Sequence, residues 1–162
     1  MLKVIIKNRS YTNWHFTTVN GESVETDVNI NPANDHIFSE DVINVSETGD
    51  ITIVDSPIRD KDNIPGVLVL DKKSFTVNGR IMYKCIPNDS SLPFFLVPYK
   101  ETLGFSKKSV NKYVTFKYHS WDISHPEGRL EQTIGDVNNP DNYYEYRLYC
   151  KDLNISNRKF TQ

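Results

Sequence analysis

Residues 114–155, VTFKYHSWDISHPEGRLEQTIGDVNNPDNYYEYRLYCKDLNI, decide the fold. Successive strand side chains point to opposite faces. Over 112–119, Lys112, Val114, Phe116 and Tyr118 therefore share one face, and Tyr113, Thr115, Lys117 and His119 share the other. Trp121 follows the strand and reads as a plug for the end of a barrel. Pro126-Glu127-Gly128 supplies a turn whose glycine accepts positive φ. A second alternating run, RLEQTI (129–134), stops at Gly135. Asn142 followed by Glu145 reads as a capping box and predicts a helix of about two turns over 142–152. Tyr144, Leu148 and Lys151 share one face of that helix.

Upstream the same alternation recurs. LKVIIK (2–7), WHFTTV (14–19), VETDVNI (24–30), DVINV (41–45) and ITIV (51–54) read as strands. So do GVLVL (66–70), SFTV (74–77), RIMYKCI (80–86) and FFLVPY (94–99). Their turn-separated spacing fits a small barrel or a sandwich. Asn20-Gly21 and Asn78-Gly79 are hairpin signals, because both turn positions tolerate positive φ. DSPIRDKDNIP (55–65) has two prolines, five charges and no periodicity, the composition of a linker. This predicts an all-β chain divided into 1–55, a linker at 56–65, a second unit at 66–157 and a polar tail at 158–162. A jelly-roll sandwich is the alternative pairing of the same strands.

The 162 residues are enough for a sizeable core without disulfides. Cys85 and Cys150 form no C-x-x-C pattern, which speaks against a disulfide framework or a zinc ribbon and points to a reducing, cytoplasmic compartment. No apolar run approaches the ~20 residues that span a bilayer, so no membrane partner is expected. Motifs for phosphate loops, dinucleotide binding and zinc proteolysis are absent. His119, His125 and Asp122 are too few for a convincing metal set, and neither cysteine is placed beside a histidine by the sequence. No cofactor, metal or catalytic residue is therefore expected.

The net charge of −2 is unevenly spread. Residues 1–62 carry five Lys/Arg against eleven Asp/Glu, and residues 63–162 carry fourteen against ten, so a polyanion is expected to meet the second half. Phe94 and Phe95 are adjacent, so one belongs to a core and the other is available to stack on a base. Lys107, Lys108, Lys112 and Lys117 can neutralise phosphates. With Tyr99 and Tyr113 they complete the candidate nucleic-acid-binding set: Phe94, Phe95, Tyr99, Lys107, Lys108, Lys112, Tyr113 and Lys117.

The order strand, Trp121, Pro126, Gly128, strand, Ile134-Gly135-Asp136, Glu145 and short helix resembles the second cold-shock domain of the ribonuclease II / RNase R family. GVLVL, NGRIMYKCIP and PFFLVPY resemble that domain's early strands. FSEDVINV (38–45) resembles the end of the family's first cold-shock domain, with Glu40 where glycine is usual. The resemblance implies two OB-fold barrels, the first small and degenerate, the second followed by a short C-terminal helix. It also implies a non-catalytic module for single-stranded RNA or DNA, since no stretch matches the family's catalytic aspartate cluster. The alternatives are a structural or assembly protein that uses the barrel to bind other protein subunits, as in a virus particle, and a fragment of a 3′-5′ exoribonuclease.

Overall fold

The β-branched and aromatic runs pair into two sheets in the computed structural model, which describes residues 1–26, 28–100 and 110–151. The first sheet holds β1 (Leu2–Ile6), β2 (Trp14–Thr17), β3 (Ser23–Val24), β4 (Val42–Val45) and β5 (Ile51–Asp55). Its order is β3-β2-β1-β4-β5, antiparallel throughout. The strand expected over 24–30 stops at Val24, where acidic and amide residues that pack poorly on a sheet begin. After a short helix α1 (Pro57–Asp60) come β6 (Ile64–Leu68), β7 (Phe75–Val77), β8 (Arg80–Pro87), β9 (Phe95–Pro98), β10 (Lys112–Ser120) and β11 (Glu127–Asp136).

These strands run β6-β10-β11-β9-β8, and β6 also pairs with β8, which closes a ring of five. β7 hangs on β8 as a hairpin whose turn, Asn78 at φ 51° and Gly79 at φ 78°, has the positive angles that suit the sheet twist. Counted along the chain without β7, the ring order is 1-2-3-5-4. Its strands 3 and 5 (β9 and β11) are parallel and its other pairs antiparallel. This is the partly open Greek-key barrel of the OB fold. The first sheet follows the same order, cut open between β3 and β5. The chain is thus all-β, with a complete OB barrel, a degenerate open counterpart before it and a short helix after it.

One continuous core joins the two sheets. Val4, Ile6, Phe38 and Ile43 meet Leu68, Phe95, Val114 and Phe116 in it. Phe38 lies parallel to Phe95 at 5.6 Å and packs against Trp121 at 4.8 Å. Gly128 is required where β11 passes Phe116, because a Cβ there would come within 2.8 Å of the ring.

The 55–65 segment, expected as a linker, contains α1 and a polar latch. Asp41 is fully buried. It accepts hydrogen bonds from the Ser56 hydroxyl (2.6 Å), the Phe38 amide (2.9 Å) and the Arg59 guanidinium (2.8 Å). Arg59 also donates to the His36 carbonyl and lies over the rings of Phe38 and Tyr118, at 5.0 and 5.1 Å. Burial pushes the Asp41 carboxyl above its ordinary range, while Ser56, the Phe38 amide and Arg59 pull against it.

The last helix, α2 (Pro140–Cys150), starts earlier than the capping-box reading placed it. Asn139 is the N-cap, accepting from the Asp141 amide, and Pro140 takes the first helical position, where its fixed φ suits the helix. Asn142 instead donates to the Asp136 carbonyl beneath Gly135, whose φ of 146° and lack of a Cβ leave it room. The face carrying Tyr144 and Leu148 is the exposed one, and Tyr146 and Tyr149 are buried. No helix of the described residues is long and apolar enough to cross a membrane.

Candidate nucleic-acid interface

OB barrels present their ligand face on strands 2 and 3, flanked by the loops between strands 1 and 2 and strands 4 and 5. Here those strands are β8 and β9, and the loops are 69–79, which carries β7, and 121–126. Cys85, Tyr83, Phe95 and Val97 pack toward the core. Alternation sends Arg80, Met82 and Lys84 to the other face, with Leu96 opposite Lys84. Met82 and Leu96 floor a depression walled by Val77 and Asn78 on one side and by His119, Asp122 and His125 on the other.

At one end of that depression Phe94 stacks on His125, with ring centres 4.0 Å apart, and the Lys84 ammonium sits 4.3 Å from the Phe94 centroid. Burial, and then the charge of Lys84, lower the His125 pKa, so at neutral pH the imidazole is uncharged and presents a flat ring. At the other end Glu127 accepts from Arg80 and Arg129, each at 2.8 Å. Burial pushes the Glu127 carboxyl up, but those two hydrogen bonds outweigh it and leave it below its ordinary value. Two guanidiniums on one carboxylate leave excess positive charge, and both arginine side chains are 43% exposed. Beyond Arg80 a wider cavity of about 590 Å³ is lined by Ile81, Tyr83, Tyr99 and Lys100, with Tyr83 edge-on to Tyr99 at 6.2 Å. Arg80, at the start of β8, borders both depressions, although Ile81, Tyr83 and Tyr99 belong to the opposite side of the sheet from Met82 and Lys84. Stacking platforms beside a basic track are what sequence-tolerant single-strand binding requires.

The residues expected from sequence divide around the barrel. Phe94 and Tyr99 flank β9, but only Phe94 shares a side with Lys84 and Leu96; Tyr99 packs against the core beside Tyr83, on the opposite side of the sheet. Phe95 is corrected to the core: it is fully buried against Phe38 and Phe116 and has no surface to offer a base. Lys112, Tyr113 and Lys117 belong to β10, which neighbours neither β8 nor β9 in the ring. Lys112 is bonded to Asp136 at 2.5 Å, and Tyr113 is stacked on Tyr146 of α2 at 4.5 Å. Lys117 is exposed, 3.7 Å from Asp62. Lys107 and Lys108 lie outside the described residues. Arg80, Lys84 and His125 escaped the sequence reading, although Arg80, Met82 and Lys84 alternate onto one face of RIMYKCI.

Among the described residues no group of three or more His, Cys, Asp or Glu could hold a metal ion. Cys85 is wholly buried, which pushes its thiol pKa far up and leaves it unsuited to nucleophilic work.

Comparison with known proteins places the similarity on this barrel. A family model described as the Dis3-like cold-shock domain 2 (CSD2) matches residues 82–146, from within β8 to within α2. No curated protein and no solved structure matches the chain. Residues 82–146 are therefore similar to a cold-shock domain of the OB type, a domain without catalytic machinery of its own.

Proposed function

We propose that the chain is a binding module for single-stranded nucleic acid, RNA in particular, of the kind that accompanies ribonuclease II-type exoribonucleases, and that it performs no chemistry itself. The observation that carries this reading is the Phe94–His125 stack with Lys84 above it, set on the strand 2–3 face of a closed OB barrel. Bases stack on the rings, while Arg80, Lys84, Lys100 and Arg129 meet phosphates without reading sequence. The CSD2 match supports the same reading, because cold-shock domains bind nucleic acid.

Fluorescence anisotropy with labelled poly-U and poly-dT at two salt concentrations tests it. Saturable binding that weakens as salt rises is the expected result. Absent or salt-insensitive binding would transfer the barrel to a scaffold role. One observation favours that second reading: Tyr143, Tyr144 and Leu148 form an exposed apolar surface on α2.

A further inference from the structure

Beside the Phe94–His125 stack lies a crevice of about 480 Å³ that the barrel does not build alone. The barrel contributes Phe94, Trp121 and His125, and the first half contributes Arg9, Ser10 and Ala33. The volume falls within the ~300–1,000 Å³ typical of small-molecule sites. Arg9 is fixed in place: it donates to the carbonyls of Leu92 (3.0 Å), Pro87 (2.6 Å) and Asp89 (3.1 Å), which ties the first half to the loop between β8 and β9. Tyr11 and Trp121 also line the crevice and are each 6% exposed. The Tyr11 hydroxyl and the Trp121 indole N–H have no hydrogen-bond partner among the described residues. No carboxylate of the described residues lines the crevice.

Aromatic walls and a fixed guanidinium suit a flat ring that carries a phosphate. A cationic ligand would meet Arg9 with no carboxylate in the lining to receive it. His125 borders both this crevice and the depression on the β8–β9 face, so the two are adjacent.

We propose that the crevice takes one nucleotide of a single strand lying on the β8–β9 face, its base against Phe94 and Trp121 and its phosphate toward Arg9. The first half is then part of the binding surface and not only a packing partner. This rests on the strand-binding reading above.

The test uses the full chain with Trp14→Phe, which leaves Trp121 as the sole indole, titrated with oligouridine while anisotropy of a labelled strand is followed in parallel. Ala33 is exposed on the crevice wall, so Ala33→Glu adds a carboxylate there without disturbing the core. Trp121 emission is expected to change with the same midpoint as the anisotropy. Ala33→Glu is expected to weaken binding about tenfold, within the range of losing one stacked base. Strand binding with unchanged Trp121 emission, and with Ala33→Glu within about twofold of the parent, would overturn the crevice proposal and leave the β8–β9 reading standing. No anisotropy change in the parent chain would overturn both.

Discussion

Arg59→Ala is expected to be among the most damaging single substitutions outside the apolar core. Its partner Asp41 is fully buried and takes one of its three hydrogen bonds from Arg59. Removing one member of a buried ion pair leaves the other charge uncompensated, at a cost of roughly 3–5 kcal/mol. Loss of the cation–π contacts with Phe38 and Tyr118 adds about 0.5–2 kcal/mol, because Arg59 is largely desolvated. For a chain of this size each kcal/mol moves the midpoint by roughly 2–4 °C, so a fall of about 7–28 °C is expected. The defect has a pH signature. Burial already raises the Asp41 pKa, and without Arg59 the carboxyl rises further. A carboxyl whose folded pKa lies above its unfolded one contributes stability at low pH that is lost as pH rises through the folded pKa. The variant is therefore expected to lie closer to the parent in acid than at neutral pH. Thermal melts by circular dichroism across that range, with Asp41→Asn/Arg59→Met as the double variant, provide the assay. A neutral-pH loss under about 1 kcal/mol, or a loss independent of pH, would refute the latch as a buried ion pair.

Other expectations follow from the same geometry. Phe94→Ala removes the stacking ring and is expected to weaken strand binding by about 1–3 kcal/mol, or roughly 5- to 150-fold, while melting at the parent temperature. Lys84→Gln is expected to lower the slope of log affinity against log salt by about 1, as measured by anisotropy. Gly128→Ala forces a Cβ to within 2.8 Å of Phe116 and 3.2 Å of the Lys117 carbonyl, and is expected to cost roughly 1–3 kcal/mol by urea denaturation. His125 is expected to titrate below its ordinary 6.5 in an NMR pH series. Because the folded chain holds that proton less tightly than the unfolded one, this group's contribution to stability falls as pH drops below about 6.5.

Much of the barrel was legible in the sequence because its strands alternate cleanly and its β7–β8 turn carries Asn-Gly; Glu127 and Gly128, read as part of a turn, instead open β11, where Gly128 makes room for Phe116 and has no positive φ. The Trp121 to Gly135 stretch also fixed the place of β11. What the sequence did not show was position around the ring. Lys112 and Tyr113 alternate as convincingly as Arg80 and Lys84, yet closure puts β10 away from the ligand face and α2 over Tyr113. Phe94 and Phe95 were read as pointing to opposite sides with one ring in the core, but only burial shows that the core ring is Phe95. The polar composition of 55–65 hid the latch, because the partners of Ser56 and Arg59 lie at Asp41 and His36, outside any local window. The helix start was misread because Asn142 with Glu145 imitates a cap, while Asn139-Pro140 supplies one.

The account stands most directly on where an unpaired strand touches the protein. Backbone amide shifts recorded by NMR during titration with oligouridine answer that residue by residue. Shifts concentrated at Arg80, Lys84, Phe94 and His125, with Lys112 and Tyr113 unmoved, are the expected result. Shifts confined to α2, to β10 or to the edge strand β5, or no shifts at all, would contradict it.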